Sequence, residues 1–303
     1  MNLLTLSFTK DKFLIIQRLI TITCIILAIL CNDSNQNLIA FLGIFSFGIL
    51  HGANDLKIIN KNFKKNQKKL KDLFFLSYVL VVILGIVIFY WIPGIALISF
   101  VIISCYHFGE QHMERIMDLK KGKLFFYFTY GAFIFLMIFS LHYNETAKVI
   151  FQISGKVLPF TFFIYSLLLT SIAIIIQALF HFKKSKLLMQ EFFLLGLLAL
   201  LFVSSNLLFS FGIYFVIWHS LPSLNSQVKF LYDGKVSYKT GYKKYIKASF
   251  LYWILALGSL AGVYFFADIP REQFLSLFFP FLAAITFPHA IVMERMFSFN
   301  SNQ

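Results

Sequence analysis

Apolar runs about as long as a membrane is thick recur along the whole chain, and they constrain its fold more than any other feature. A helix that crosses the hydrocarbon core of a bilayer needs about 20 mostly apolar residues. Backbone polar groups inside lipid must be hydrogen-bonded within the chain, so segments of this length are expected to be helical. Ten stretches qualify, at 13–31, 38–57, 73–91, 94–111, 124–141, 158–181, 188–205, 207–225, 248–267 and 273–294. The sequence therefore predicts an all-α, polytopic transmembrane helix bundle of about ten spans, forming one integral membrane domain over residues 1–303.

The basic residues predict how these spans are oriented. Of the 27 Lys and Arg residues, all but Lys148, Lys156 and Arg271 lie on one side when the N-terminus is placed in the cytoplasm. Cytoplasmic loops carry an excess of Lys and Arg, so both termini are expected to be cytoplasmic and the protein to be multi-pass in the inner (plasma) membrane. The net charge of +14 is then explained by topology and by contact with anionic lipid headgroups, and no nucleic-acid partner is expected.

Four of the seven histidines lie toward the predicted cytoplasmic ends of spans that all run in the same direction. These four are His51, His107, His219 and His289. Ionisable residues inside a membrane are costly and usually face the bundle interior. Neutral imidazole is a common metal ligand, and side chains from several helices can converge on one metal in a bundle. The sequence therefore predicts these four as metal ligands. With few carboxylates and no metal-type spacing of cysteines, the donor set suits iron, copper or zinc.

Other residues next to these histidines are candidates for supporting roles. Asp55 follows His51 by four residues, on the same helix face, where its carboxylate can accept the second ring N–H of that histidine. Glu110 follows His107 by three residues on a similar face, and both acids are predicted to be catalytic. Candidates for lining an apolar substrate are Tyr106, Phe108 and Trp218, with ordinary helix packing as the alternative. Pro222 is expected to break or kink the helix just after His219.

His112 is a possible additional metal ligand. It lies five residues after His107, roughly 140° around a helix at 100° per residue, so one straight helix does not aim both at one ion. Its alternative role is to support a ligand or to lie at the membrane interface.

Four motifs together resemble the Brp/Blh family, the membrane-embedded bacterial and archaeal β-carotene 15,15′-dioxygenases. They are HGANDLK (51–57), YHFGEQH (106–112), WHSLPS (218–223) and FPHAIVMERM (287–296). The resemblance implies that Fe²⁺ and O₂ cleave the central 15,15′ double bond of β-carotene, or of a related carotenoid, to give all-trans-retinal. It implies His51, His107 and His219 as iron ligands. The implied partners are a membrane-dissolved carotenoid, O₂ and the lipid bilayer, and no protein partner is identified.

The chain departs from the family at two positions. The family's third motif carries a second histidine ligand four residues after the first, where this chain has Ser223. His112 stands where the second motif is expected to end in an acidic residue. The site is therefore completed by His289 or His112, or holds metal with three protein ligands, or has lost the activity. We rank His289 first because it lies at the right depth on a different helix.

Two other functions remain open. Intramembrane His51, Asp55 and Glu110 suit a polytopic transporter that relays protons or metal ions. A non-cleaving paralogue of the carotenoid dioxygenase is the other alternative. A membrane di-iron hydroxylase is disfavoured, because the paired HxxxH and HxxHH motifs of that class do not occur in the sequence.

Overall fold

A computed structural model describes residues 3–61, 63, 67–113, 122–181, 185–232 and 236–301. The α-helices in this part of the chain are α1 (Leu3–Leu30), α2 (Asp33–Gly43), α3 (Asp55–Lys61), α4 (Lys68–Trp91), α5 (Pro93–Met113), α6 (Lys123–Leu141), α7 (Tyr143–Ser154), α8 (Phe160–His181), α9 (Ser185–Ser204), α10 (Leu207–Ile213), α11 (Leu221–Tyr232), α12 (Tyr238–Phe266) and α13 (Phe274–Ser301). Two π-helical segments, Ile44–Gly48 and Tyr214–Ser220, and one 3₁₀ turn, Arg271–Gln273, complete the secondary structure. No strand occurs in these residues, which confirms the all-α prediction.

Eight helices in the described residues are long and apolar enough to cross a membrane. They are Lys12–Leu30, Lys68–Trp91, Pro93–Met113, Lys123–Leu141, Phe160–Phe180, Leu207–Tyr232, Lys239–Phe266 and Arg271–Met296. Several of them, Lys68–Trp91 among them, keep most of their apolar side chains on the protein surface, as expected where lipid is the solvent. The prediction of a polytopic membrane bundle is therefore confirmed.

The structure gives eight such helices where the sequence predicted about ten spans. Residues 38–57 do not form one helix, because α2 ends at Gly43, a π-helical segment follows, and residues 51–54 form a turn. Gly43, Gly48 and Gly52 are weak helix formers, which explains why this apolar run is interrupted. The predicted span 188–205 corresponds to α9, whose apolar part, Met189–Ser204, is shorter than the other eight.

The chain divides into two compact units, each assembled from three stretches of sequence. Unit 1 comprises Met1–Ile44, Phe108–Tyr143 and Phe160–Pro222. Unit 2 comprises Phe45–His107, Asn144–Pro159 and Ser223–Gln303. In unit 1, α6 packs against α8 and α9, α1 against α9, and α2 against α10. In unit 2, α13 packs against α3, α4 and α12.

Two buried clusters hold the helices of unit 2 together. Ile58 of α3 packs with Val292, Met293 and Met296 of α13. Leu50 packs with Leu224, Val228 and Tyr245. Between helices in a membrane such clusters stabilise the fold through close van der Waals packing. The first cluster fixes α3 against α13, and these two helices carry Asp55 and His289.

A close approach of two backbones holds α5 against α6 in unit 1. Gly109 lies against the backbone of Tyr127 and Gly131, and a Cβ at Gly109 would stand 1.8 Å from the Tyr127 carbonyl oxygen. Small residues at such a crossing let membrane helices come close enough for backbone contact. Glycine is therefore the only residue type that fits at position 109 without moving α5 away from α6.

The helix that contains His219 does not end at Pro222. It continues as α11 to Tyr232, after the π-helical segment Tyr214–Ser220. In that segment the Leu221 N–H reaches the Val216 carbonyl, and the Ser220 hydroxyl donates to the Phe215 carbonyl at 2.9 Å. Both contacts span five residues, so the wider turn accommodates the proline where we expected a break or a kink.

Candidate metal centre

Three buried histidines come together in unit 2. His51 begins the turn at 51–54, His107 lies near the end of α5, and His289 lies on α13. The ring centroids of His51 and His289 are 4.8 Å apart, and those of His107 and His289 are 5.2 Å apart. None of the three residues is more than 4% exposed. Three of the four predicted ligands therefore meet in one unit.

Two of the three ring separations fit ligands of a single ion. With metal–nitrogen bonds of about 2.1 Å and ring centroids about 1.1 Å further out, ligands at 90–109° have centroids about 4.5–5.2 Å apart. Both measured separations fall within that range. The rings meet nearly at right angles, at 89° and 87°, so no pair is stacked face to face. Imidazoles in this arrangement suit iron, copper or zinc.

Asp55 fixes the orientation and the tautomer of His289. The His289 Nδ1–H donates to Asp55 Oδ1 at 2.8 Å, and the Tyr78 hydroxyl donates to Asp55 Oδ2 at 3.1 Å. With the proton on Nδ1, the lone pair is on Nε2, which is buried and has no hydrogen-bond partner among the described residues. A histidine that donates one ring N–H to a carboxylate and leaves its other nitrogen available is typical of metal ligands.

Asp55 was predicted to orient His51, and the structure pairs it with His289. His51 is held differently, since its Nδ1 contacts the Gly48 carbonyl and its own carbonyl accepts the Tyr245 hydroxyl at 2.9 Å. A ring whose Nδ1–H donates to a carbonyl presents Nε2 as its ligand atom. Backbone and ring of His51 are thus both fixed by the turn in which they lie.

Ser223 lies in a buried hydrogen-bonded chain that leads to His51. The Ser223 hydroxyl accepts from Gln227 Nε2 at 3.0 Å, and Gln227 Oε1 accepts from the Tyr245 hydroxyl at 2.7 Å. Tyr245 is the residue that contacts the His51 carbonyl. At position 223 the family that this sequence resembles has a second histidine. This chain has a serine there, and its hydroxyl is linked through Gln227 and Tyr245 to the backbone of His51.

His219 lies in unit 1, within the π-helical segment. Its ring stacks on Phe108, with centroids 3.9 Å apart and planes 8° apart, and on Phe215 at 5.7 Å. The role of His219 as a ligand stays a prediction from its motif.

The three residues predicted to line a substrate take part in ordinary packing. Phe108 is buried against His219, and Trp218 is buried with its indole N–H donating to the Thr21 hydroxyl at 3.0 Å. Tyr106 is half-buried on α5. Glu110, predicted to be catalytic, is buried in unit 1 one turn after His107. The catalytic and substrate-lining roles of these residues stay predictions.

His112, the possible additional ligand, has its own partners in unit 1. Its Nε2 lies 3.2 Å from Glu191 Oε2 and 3.1 Å from the Tyr130 hydroxyl. Sequence reasoning missed Glu191, although an acid inside the apolar run 188–205 is the same signal that singled out the histidines. Tyr78, Tyr130 and Tyr245 carry no comparable signal, because buried tyrosines are common in any helix bundle.

Comparison with known proteins gives one match. A family model described as BCD, beta-carotene 15,15′-dioxygenase, matches residues 42–297, which include every predicted site residue. No curated protein and no solved structure matches the chain.

Proposed function

This chain belongs to the beta-carotene 15,15′-dioxygenase family, and on that premise we propose that it cleaves the central 15,15′ double bond of β-carotene, or of a related carotenoid, with O₂ to give all-trans-retinal. Fe²⁺ would be held by His51, His107 and His289. His219 is proposed as a further ligand on the strength of its motif alone.

One observation carries this proposal: three buried imidazoles meet in unit 2, one of them oriented by a carboxylate. Bound iron would supply the activation of O₂ next to the polyene. The chain's own residues would hold the ion in place, since Asp55 Oδ1, 2.8 Å from His289 Nδ1, keeps the ring proton on Nδ1 and leaves Nε2 to bind the ion. The burial of all three rings keeps water away from the site.

The proposed substrate is an apolar molecule dissolved in the membrane. The helices that can cross a bilayer expose apolar side chains over most of their outer faces, so a carotenoid reaches the protein laterally through lipid. We place the protein in the inner (plasma) membrane on the distribution of its basic residues. No protein partner is proposed.

Expression in a bacterium that accumulates β-carotene tests the reaction. We expect carotene to fall and all-trans-retinal to appear in pigment extracts analysed by liquid chromatography, because cleavage at the centre gives two identical products. The matched control is the His107→Ala protein at equal membrane content. The proposal is wrong if carotene stays intact and well-expressed protein yields neither retinal nor another apocarotenal.

A second candidate, a paralogue that binds carotenoid without cleaving it, is favoured by one residue. Ser223 stands at a ligand position of the family and is hydrogen-bonded to Gln227 at 3.0 Å. The same expression experiment separates the two functions, because a binding protein purifies with intact carotenoid and releases no aldehyde.

Asp55→Asn is expected to lower iron affinity and retinal formation by about 10–100-fold, as for other carboxylates that orient a metal-bound histidine. Asparagine keeps the size of Asp55, but it loses the charge and one of the two acceptor oxygens that face His289 and Tyr78. Iron titration of the purified variant measures the effect. Tyr78→Phe serves as the milder comparison, since it leaves the contact with His289 in place, and equal affinities for Asp55→Asn and the parent protein would contradict the role of Asp55.

A further inference from the structure

A second cluster of polar side chains lies in unit 1 and contains none of the residues proposed above to hold iron. The cluster is a triangle of three polar atoms, one each from His112 on α5, Tyr130 on α6 and Glu191 on α9. Its sides are 3.1 Å between the Tyr130 hydroxyl and His112 Nε2, 3.2 Å between His112 Nε2 and Glu191 Oε2, and 3.3 Å between the Tyr130 hydroxyl and Glu191 Oε2. All three residues are buried.

Hydrogen bonding alone accounts poorly for this triangle. The phenol O–H and one imidazole N–H offer two protons for three sides, since an ionised carboxylate only accepts. All three sides are also longer than the usual 2.7–2.9 Å of a charge-assisted N–H···O bond or about 2.7–2.8 Å of an O–H···O bond. The three atoms are equally spaced, although a hydrogen-bonded set would shorten the two sides that carry protons.

The same distances fit three ligands of one ion. Ligand atoms about 2.0–2.2 Å from a metal, at angles between 90° and 109°, are about 2.8–3.6 Å from one another. We propose that His112 Nε2, Glu191 Oε2 and the Tyr130 phenolate form a second transition-metal site, which takes a divalent ion of the iron and zinc class. Water or another small ligand completes the coordination.

The charges of these groups favour such an ion. One imidazole, one carboxylate and one phenolate make a mixed nitrogen and oxygen set, which suits zinc and iron better than the soft Cu⁺ ion. On binding, Tyr130 releases its phenol proton to water, as ligands generally do when a metal binds. The carboxylate and the phenolate then neutralise the divalent charge, so the buried site carries no net charge and the desolvation penalty is partly offset.

The positions of the three residues determine how an ion reaches the cluster and which helices it links. His112 lies in the last turn of α5, and Glu191 lies near the start of α9. The Glu191 side chain retains 12% exposure, so the ion reaches the cluster along it. Because the ligands come from three helices of unit 1, bound metal links α5, α6 and α9.

The first test is metal content and heat stability of the detergent-purified protein. Zn²⁺ is expected to raise the melting temperature of the parent protein by about 5 °C. Glu191→Gln and Tyr130→Phe are expected to show a smaller shift than the parent and to bind one metal ion fewer, while Tyr127→Phe, a buried tyrosine one turn earlier on α6, matches the parent in both. The proposal is overturned if Glu191→Gln and Tyr130→Phe bind as much metal and respond to Zn²⁺ as the parent does.

A second readout does not depend on stability. Fe³⁺ bound to a tyrosinate gives a visible charge-transfer band, so we expect the parent protein loaded with a ferric salt as a probe to show this band and Tyr130→Phe to lack it. His289→Ala is expected to keep it, because His289 belongs to the cluster of unit 2. We expect the band, and its loss in Tyr130→Phe, even if the protein does not cleave carotenoids. This test is therefore independent of the proposed function. A band that persists in Tyr130→Phe contradicts the second site alone.

Discussion

Replacing His289 with alanine is expected to abolish retinal formation, by at least about 100-fold, and to remove iron from the purified protein, because a ligand matters at least as much as the residue that orients it. Its Nε2 is buried without a hydrogen-bond partner in the described part of the chain, and its Nδ1 is fixed by Asp55. A partnerless Nε2 and an oriented Nδ1 are both typical of a metal ligand, and the His289 ring lies next to those of His51 and His107.

The measurement compares pigment extracts and metal content of His289→Ala with those of His142→Ala. His142 caps the end of α6 in unit 1 and contacts the Ser210 hydroxyl at 2.9 Å, so its loss removes an imidazole that belongs to neither proposed metal site. We expect His142→Ala to retain iron and activity. A His289→Ala protein that keeps both would show that His289 is not a ligand and that the site is completed by other residues.

Gly109→Ala is expected to destabilise the protein by at least about 3 kcal/mol, the upper end of the range for overpacked sites. The added Cβ would lie 1.8 Å from the Tyr127 carbonyl oxygen and 2.6 Å from its carbonyl carbon. Both are backbone atoms, so no side-chain rotation relieves the clash and α5 must move away from α6. Because His107 lies two residues earlier on α5, retinal formation is expected to fall as well.

Gly196→Ala is the matched control, since Gly196 lies in a helix of the same unit and a Cβ there meets no atom within 4 Å. Alanine is the better helix former, so this variant should be unchanged or more stable by up to about 1 kcal/mol. Thermal unfolding in detergent compares the two proteins. Equal melting temperatures would show that the contact between α5 and α6 yields more readily than the structure indicates.

The sequence was enough to predict the class of fold, and it singled out the three histidines that lie together in unit 2. Apolar runs of span length leave few alternatives to helices, because lipid offers the backbone no hydrogen bonds. The same cost argument identified His51, His107 and His289, since an imidazole inside a membrane needs an interior partner. Neither inference required knowledge of which helices are neighbours.

The partner of Asp55 could not be predicted, and the reason is local. The rule that residues four apart share a face holds only along a continuous helix. Residues 51–54 form a turn, and Asp55 is the first residue of α3, so the spacing between His51 and Asp55 no longer measures a helix face. The contact with His289 spans 234 positions of sequence and depends on how α3 packs against α13.

The π-helical segments have a consequence for how this chain can change during evolution. Such a segment is equivalent to a single-residue insertion in an α-helix, which turns everything after it by about 100° around the axis. His51 follows one segment within three residues, and His219 lies inside the other. The gain or loss of one codon is therefore enough to change the direction in which either imidazole points. Insertions and deletions between homologues should reveal more about this site than substitutions do.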